Sequence, residues 1–312
     1  MARKPNLLII KKFHPDSLAY IKKELNKYFT IIVPSSFSES SLTRYIPDAE
    51  YILGHHLPDS LLLLADKLKY FQSVSSGLDH LNLSLFNRLN IAIGNSTSHA
   101  PCVAKFALSL MLNIACKISL NDKIVRSAFN HSSSFPVDPK IRLSPSLFGE
   151  YIGLIGYGAI NQYLEKLLAP FDVKILYNRK SQDSNSSSLD QIFSVCRFIF
   201  IALPLNSLTK GLINHKHLVH NAISPYIVNV GRAEVIDFGS LTKALDLSTI
   251  SGFATDVAYG ENTSSPVGFD GLYHYSNVIL SPHRASSTEG IPSYLPGAIA
   301  NLSQIRNYSI SE

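Results

Sequence analysis

The chain has 312 residues, of which 46% are hydrophobic and 16% are charged, so its composition is that of a globular protein and excludes a disordered one. This length favours two domains over one. The net charge of +5 comes from scattered lysines and arginines without a basic arm, which argues against nucleic acid as a partner.

The first 95 residues alternate short apolar runs with helix-like segments. Two predicted helices, Pro15–Tyr28 and Pro58–Leu68, each carry proline in the first turn, where proline is favoured. Such alternation predicts a parallel sheet covered by helices. The predicted strands of this part are Leu7–Ile10, Ile31–Val33, Tyr51–Leu53, Tyr70–Val74 and Ile91–Ile93.

A long helical segment, Ala100–Phe129, follows and is apolar on nearly every side as far as Leu120. We predict a helix buried all round, suited to a domain or subunit interface. The serine-rich stretch His131–Ser146 after it is predicted to be a loop.

Residues 149–284 form a second alternating unit, and the last segment, Ser286–Glu312, is predicted to return to the first domain as a helix. Six strands with helical crossovers match a doubly wound nucleotide-binding sheet. The predicted strands are Tyr151–Ile155, Val173–Tyr177, Phe198–Ala202, Tyr226–Val230, Ile250–Ala254 and Val278–Leu280.

The N-terminal sequence and the cysteine pattern both predict a reducing compartment. The N-terminal apolar run is too short for a signal peptide, and no run approaches the ~20 residues of a membrane span. Cys102, Cys116 and Cys196 lie in apolar segments without the paired spacing of a metal site. We therefore expect buried free thiols, no membrane contact and a cytoplasmic location.

The first strand of the second unit runs into closely spaced glycines at Gly156 and Gly158. In a dinucleotide-binding turn the first glycine permits the tight turn, and the second lets the backbone approach a pyrophosphate held at the helix N-terminus. Asn161 occupies the place of the usual third glycine, whose role is helix–strand packing, so we expect it to cost some fit there.

Three polar residues follow later strands of the same unit: Arg232, Glu261 and His283. Ligands of an open α/β sheet bind beyond the carboxyl ends of its strands. Each residue alone is more often a surface or capping residue, but their location on one edge beside a nucleotide-binding turn favours a catalytic set.

The order of motifs resembles that of the D-isomer-specific 2-hydroxyacid dehydrogenase family over nearly the whole chain, and most closely its glyoxylate/hydroxypyruvate reductases. The chain departs from the family pattern at Lys105, Asn161 and Ala233. The matching pieces are Ser75-Ser-Gly-Leu-Asp-His80, Gly153-Leu-Ile-Gly-Tyr-Gly158, Leu203-Pro-Leu205 with Thr209, Asn229-Val-Gly-Arg232, Asp256 with Glu261, and Ser281-Pro-His283.

The resemblance implies a fold and a reaction. It implies a Rossmann dinucleotide-binding domain of residues 99–284, inserted into a smaller flavodoxin-like α/β substrate domain of residues 1–98 and 285–312. The reaction is hydride transfer between a nicotinamide cofactor and a small 2-keto or 2-hydroxy acid such as glyoxylate or hydroxypyruvate, in a homodimer.

The resemblance also implies roles for the catalytic residues. Arg232 clamps the substrate carboxylate and polarises the keto oxygen, a task suited to a planar guanidinium. His283 is the general acid, and Glu261 orients it and favours the imidazolium. Backbone N–H groups around Ser75, Ser76 and Gly77 hold the other side of the carboxylate.

The cofactor is predicted to be NADP(H), with NAD(H) as the second choice. NAD-binding turns normally place an acid ~20 residues past the glycines, on the ribose hydroxyls. Here Asn178 takes that place, and the cations Arg179 and Lys180 follow, which suits a 2′-phosphate. The predicted cofactor-binding residues are Gly156, Gly158, Ala159, Ile160, Asn178, Arg179, Lys180, Leu203, Pro204, Thr209, Val230, Gly231 and Asp256, the last of these beside the nicotinamide carboxamide by family resemblance.

Two other functions stay open. One is a dinucleotide-sensing regulatory protein of the same fold, which binds the cofactor without turnover. The other is a phosphite or formate dehydrogenase, although no lysine follows Val74 as in phosphite enzymes. A metal site is not expected: His215, His217 and His220 are predicted to form a solvated helix face without nearby cysteine or carboxylate.

Overall fold

The computed structural model describes residues 3–131, 144–179, 185–260 and 269–308. Its strands are β1 Asn6–Ile9, β2 Thr30–Ile32, β3 Tyr51–Gly54, β4 Tyr70–Ser73, β5 Ala92–Gly94, β6 Tyr151–Ile155, β7 Lys174–Asn178, β8 Phe198–Ile201, β9 Tyr226–Asn229, β10 Gly252–Thr255 and β11 Val278–Leu280. Its α-helices are α1 Pro15–Leu25, α2 Glu39–Leu42, α3 Asp59–Leu62, α4 Leu83–Arg88, α5 Ala100–Ala115, α6 Ile118–His131, α7 Ala159–Leu168, α8 Leu189–Val195, α9 His215–Leu218, α10 Phe238–Asp246 and α11 Leu295–Tyr308.

The chain divides into two compact units, Met1–His99 with Ser286–Glu312, and Ala100–Ala285. The first unit contains a five-stranded parallel sheet in the order β2-β1-β3-β4-β5. This is the strand order of flavodoxin-like doubly wound folds. Helix α11, from the end of the chain, packs against α1 and β4 of this unit.

The second unit contains a six-stranded parallel sheet in the order β11-β10-β9-β8-β6-β7. The chain starts at β6, adds β7 on one side, and then adds β8 to β11 on the other side. The reversal of direction between β6 and β8 is a topological switch point, where doubly wound sheets bind their ligands. The predicted doubly wound α/β fold is therefore confirmed.

Burial explains why these strands form. All four residues are buried in each of β3, β4, β8, β9 and β10. Strands covered by helices on both faces are expected to be continuously apolar, and this pattern made them recognisable in the sequence. Every predicted strand is present, with bounds shifted by two residues at most.

The long helix predicted from Ala100 to Phe129 is wrong in two respects. The segment is broken at Lys117, where φ is +54°, and α5 and α6 meet at 52°. Helix α5 buries one face against α7, β9 and β10, but it leaves Lys105 and Ser109 exposed. Among the described residues no single helix is long and apolar enough to cross a membrane; α5 and the adjoining turns of α6 meet the length and composition criterion only when joined across their bend.

Two smaller predictions also need correction. The helix predicted over Pro58–Leu68 is a single turn, α3, followed by further turns. Cys196 is buried, and burial raises the pKa of its thiol to about 12, but Cys116 is exposed just beyond the end of α5. The predicted loop over His131–Ser146 lies almost entirely outside the described residues.

Candidate active site

One register row crosses the carboxyl end of the second sheet. Ile155 pairs with Asn178 on one side and with Ile201 on the other. The row continues through Asn229, Thr255 and Leu280. Most of the residues predicted for cofactor binding and catalysis in this unit leave the sheet within three positions of this row: Gly156, Gly158, Arg179, Leu203, Pro204, Val230, Gly231, Arg232, Asp256 and His283.

The glycine turn has the geometry that a dinucleotide requires. Gly156 has φ +85°, and a Cβ there would meet the Ala202 carbonyl oxygen at 2.8 Å, so only glycine fits. Gly158 is the N-cap of α7, makes no side-chain capping bond, and has open space where a Cβ would lie. A helix N-terminus approachable at the backbone level suits a pyrophosphate, with Ala159 and Ile160 in the first turn.

Asn161 is fully buried, and its side chain stabilises this turn. Its Nδ2 donates to the carbonyl oxygens of Ile155 at 3.2 Å and Gly156 at 3.1 Å. The amide therefore bonds the last strand residue and the first turn residue, a contact that a third glycine cannot make. Its Oδ1 has no hydrogen-bond partner within the described chain.

The end of β7 is held by hydrogen bonds to the turn. The carbonyl of Asn178 accepts from the N–H groups of Gly156 at 3.0 Å and Tyr157 at 3.1 Å. The Asn178 side chain donates to the Ser187 carbonyl at 2.8 Å, and the Arg179 N–H donates to Ser186 Oγ at 3.3 Å. Lys180 lies outside the described residues.

Tyr157, between the two glycines, was not among the predicted site residues, although it lies in the turn itself. Its ring stacks on Tyr177 with centroids 4.1 Å apart, and its hydroxyl donates to Glu165 of α7. The hydrogen bond to Glu165, with burial, raises the pKa of Tyr157 to about 12, against the smaller effect of the Arg179 charge. The stacked rings of Tyr157 and Tyr177 thus lie near Arg179. The tyrosine between the two glycines was the sequence feature that could have indicated this contact.

Arg232 is positioned by close backbone packing at the end of β9. A Cβ on Gly231 would lie 2.5 Å from the Leu203 carbonyl oxygen, so the two strand ends touch through a glycine. The buried Asn229 side chain accepts from the Gly231 N–H at 3.0 Å and donates to the Arg232 carbonyl at 2.9 Å. The half-buried Arg232 donates through Nη1 to the Gly231 carbonyl at 3.0 Å.

Thr209 shapes the loop that follows β8. Its hydroxyl donates to the Pro204 carbonyl at 2.7 Å and accepts from the Asn206 N–H at 2.9 Å. The Asn206 side chain in turn accepts from the N–H groups of Leu208 and Thr209. The contacts of Thr209 are thus with its own loop, which carries Leu203 and Pro204.

Asp256 holds the loop that carries His283. Its carboxylate is 2% exposed and accepts three hydrogen bonds, from Ser281 Oγ at 2.6 Å, the Arg284 N–H at 2.8 Å and the Ala285 N–H at 2.7 Å. His283 itself is exposed, has φ +53°, and donates its N–H to the Ser281 carbonyl at 3.0 Å. A non-glycine residue in this conformation is uncommon and persists where its surroundings enforce it.

Glu261 lies outside the described residues. The structure therefore places two of the three predicted catalytic side chains, Arg232 and His283, at one edge of one sheet. They leave β9 and β11, which flank β10 and its Asp256.

In the first unit, Ser75, Ser76 and Gly77 follow β4. Ser75 Oγ lies in a hydrogen bond 2.6 Å from His55 Nδ1, and the His55 ring stacks on His80 at 4.4 Å. His80 Nε2 donates to the His55 carbonyl at 2.6 Å. The loops after β3 and β4 are thus joined by two histidines, neither of which was among the predicted site residues.

The predicted solvated histidine face on α9 is wrong for His217. This side chain is buried, its Nδ1 accepts from the Asn214 N–H at 3.3 Å, and its Nε2 lies 3.8 Å from Asp190 Oδ1. Burial lowers the pKa of His217 despite the nearby carboxylate. Within the described residues, no group of three or more histidine, cysteine or acidic side chains is arranged to hold a metal.

A doubly wound sheet with a glycine turn at its switch point, and with an arginine and a histidine beyond the two strands that flank β10, is typical of a dinucleotide-dependent oxidoreductase. The profile of the D-isomer specific 2-hydroxyacid dehydrogenase NAD binding domain matches residues 108–285, more than half of the chain. The chain belongs to the D-isomer-specific 2-hydroxyacid dehydrogenase family, and it is an enzyme of that nicotinamide-dependent class.

Relatives of known activity agree with this assignment. The chain is 26% identical to a glyoxylate/hydroxypyruvate reductase of Arabidopsis thaliana, over 98% of this chain and 94% of the relative. It is 30% identical to a glyoxylate reductase of Thermofilum pendens, over 80% and 76%.

Solved structures show the same fold. An NADPH-dependent glyoxylate/hydroxypyruvate reductase from Sinorhizobium meliloti, in complex with NADP and malonate, has a TM-score of 0.75 at 23% identity, covering 96% of this chain and 91% of the other. An acyclic imino acid reductase in complex with NADPH and D-Arg has a TM-score of 0.81 at 18% identity, covering 98% and 97%.

Proposed function

We propose that this enzyme reduces a small 2-keto acid, such as glyoxylate or hydroxypyruvate, with NADP(H) as the hydride donor. The observation that carries the proposal is the register row, because the glycine turn, Arg232 and His283 all leave the second sheet within three residues of it. The glyoxylate reductases among the relatives support the substrate class.

We propose that the second unit holds the cofactor, and that the first unit holds the substrate through Ser75, Ser76 and Gly77. The residues of the glycine turn fit a dinucleotide, since Gly158 leaves open space at the N-terminus of a ten-residue helix. When bound, the cofactor supplies hydride at the keto carbon of the substrate.

The residues of the chain supply binding and proton transfer. Arg232 binds the substrate carboxylate and lies ready to polarise the keto oxygen, since its backbone is held on both sides by Asn229. His283 donates a proton to that oxygen, a role open to imidazole because its ordinary pKa of ~6.5 lies near neutrality. Glu261 is proposed to orient His283.

The first test is an assay with NADPH and a panel of 2-keto acids on the wild type, His283→Gln and the control His274→Gln. Positioned acid–base groups contribute about 10²–10⁴-fold, so His283→Gln should lower kcat by at least ~100-fold while His274→Gln stays within ~2-fold. Wild-type cofactor binding without turnover of any 2-keto acid would instead support the sensing protein.

The preference for NADP(H) rests on Arg179 and on the amide of Asn178 in the place of an acid. Replacing Arg179 by Gln should raise the KM for NADPH about tenfold and leave the KM for NADH nearly unchanged, because only NADPH carries the 2′-phosphate. Arg197→Gln is the matched control. Arg197 precedes β8 and so lies at the amino end of the parallel sheet, whereas Arg179 follows β7 at the carboxyl end. A wild-type preference for NADH contradicts this part of the proposal. The homodimer and the cytoplasmic location stay predictions from the sequence.

A further inference from the structure

Lys11 is a half-buried cation at the carboxyl end of β1. Its ammonium lies 5.1 Å from the ring centre of Tyr294 and 5.9 Å from that of Phe13, and it is 3.5 Å from the Tyr294 hydroxyl. Burial lowers the pKa of Lys11. Lys11 forms no ion pair with any acidic side chain in the described part of the chain.

The position of Tyr294 shows where this ammonium lies. The Tyr294 carbonyl accepts from Ser96 Oγ at 2.6 Å, just beyond β5, whereas Lys11 extends from β1. Strands β3 and β4 lie between β1 and β5, a span of roughly 14 Å at the usual strand spacing. The Lys11 and Tyr294 side chains meet across this span, so their contact lies over the ends of β3 and β4.

The loops that leave β3 and β4 at this place carry His55 and Ser75, which are hydrogen-bonded at 2.6 Å. Alternation along β1 and β3 agrees with this location. Leu7, Ile9 and Leu53 belong to the apolar cluster that contains Val74 and has Tyr294 packed against it, and Lys11 and His55 each follow two residues later in the chain, just beyond the ends of β1 and β3. Lys11 is therefore located at the same end of the first sheet as the loop proposed to hold the substrate.

The charge of Lys11 is not accounted for by a small 2-keto monocarboxylate. Such a substrate carries one negative charge, which in the proposed function is matched by Arg232. The rings of Phe13 and Tyr294 offset part of the cost of burying an ammonium, but they carry no net charge. A half-buried cation at the same end of the sheet as the loop proposed to hold the substrate, without an acidic partner among the described residues, is suited to an anion supplied by the substrate.

We propose that Lys11 binds an anionic group at the end of the substrate remote from the keto carbon, a carboxylate or a phosphate. The preferred substrates are then 2-keto acids that bear a second acidic group. This inference rests on the proposed function, since it assumes that the loop at Ser75 holds a 2-keto acid.

The test compares substrates matched in chain length on the wild type, Lys11→Met and the control Lys12→Met. Lys12 has the same charge but is exposed. The pairs are 2-ketoglutarate with 2-ketovalerate, for a carboxylate, and 3-phosphohydroxypyruvate with hydroxypyruvate, for a phosphate. We expect wild-type kcat/KM to favour the dianionic member of at least one pair, and the pair favoured identifies the group.

Lys11→Met should lower kcat/KM for that dianionic substrate about 10- to 100-fold, mainly through KM, as expected for the loss of a charge-assisted hydrogen bond. It should change kcat/KM for glyoxylate by less than about twofold, and Lys12→Met should have little effect on either substrate. An equal loss on glyoxylate and on the dianions, or no loss on the dianions, overturns the proposal.

Calorimetric binding of 2-ketoglutarate and 2-ketovalerate to the enzyme without cofactor separates the two proposals. Tighter binding of 2-ketoglutarate that is lost in Lys11→Met supports the anion site even if no 2-keto acid is reduced, in which case the proposed function alone fails. Equal binding of both acids to the wild type, together with equal turnover of both members in each substrate pair, overturns the anion site.

Discussion

Asp256 is predicted to be the anchor of the His283 loop, and Asp256→Asn tests this directly. The carboxylate accepts from Ser281 Oγ, the Arg284 N–H and the Ala285 N–H while only 2% exposed. An amide of the same shape keeps one oxygen and replaces the other by an NH₂ group. One N–H of the loop then faces a donor in place of an acceptor.

The size of the effect follows from these contacts. A hydrogen bond to a charged group contributes about 1.5–3 kcal/mol, and a buried donor left unsatisfied costs about 1–3 kcal/mol. With relaxation of the loop, Asp256→Asn should destabilise the second unit by about 2–4 kcal/mol. For a unit of this size, that corresponds to a fall in Tm of about 4–16 °C.

Differential scanning calorimetry measures the Tm, and the rate of 2-keto acid reduction at a temperature well below both transitions reports the position of His283. The control is Asp246→Asn, because Asp246 accepts one exposed hydrogen bond, from the Tyr275 hydroxyl at 2.6 Å. Ser281→Ala should cost less than Asp256→Asn, since it removes one of the three bonds. A Tm within 1 °C of the wild type and a rate within about twofold for Asp256→Asn would refute the anchoring role.

Three further predictions concern two glycines at the carboxyl end of the second sheet and the hydrogen bond between Tyr157 and Glu165. Gly231→Ala should lower stability by about 1–3 kcal/mol in thermal unfolding, because its Cβ would lie 2.5 Å from the Leu203 carbonyl oxygen. A Cβ at Gly158 would meet no atom within 4 Å in the described part of the chain, so Gly158→Ala should change stability by less than about 1 kcal/mol. It should nevertheless weaken NADPH binding at least about tenfold in a fluorescence titration, and unchanged binding would contradict the proposed contact of this turn with the cofactor. Because the pKa of Tyr157 is raised from 10.0 to about 12, mainly by Glu165, the stability that this bond contributes is complete below pH 10 and is lost as the pH rises to 12. Glu165→Gln should therefore make the fall in Tm across that interval shallower, and an unchanged slope would argue against the bond.

The sequence was sufficient to predict elements whose signal is local. Strands β3, β8 and β9 are short and largely apolar because both of their faces are covered. Their burial therefore leaves a pattern that can be recognised in the sequence. The glycines at Gly156 and Gly231 were recognisable for a similar reason, since the backbone at each leaves no room for a side chain.

Other features depended on residues far apart in the chain. The break at Lys117 depends on a left-handed φ, and no glycine or proline at that point of the sequence indicates it. Ala100–Phe129 was therefore predicted as one helix. His217 was predicted to be solvated, but the packing of α9 near Asp190 buries it. Such outcomes follow from tertiary packing, which overrides local propensity.

By itself, the sequence determined the α/β class, the strands in chain order, and the kinds of side chain available for the chemistry. Only the tertiary structure decided which of these side chains work as supports, as with Asp256, whose carboxylate is occupied by the His283 loop 25 to 29 residues away along the chain. It also brought Lys11 to Tyr294, 283 residues apart, because β1 and the segment before α11 meet only when the end of the chain returns to the first sheet. The spacing of residues along a sequence reflects local geometry. Contacts between residues so far apart in the chain form only when the first sheet has assembled and the C-terminal segment packs on it.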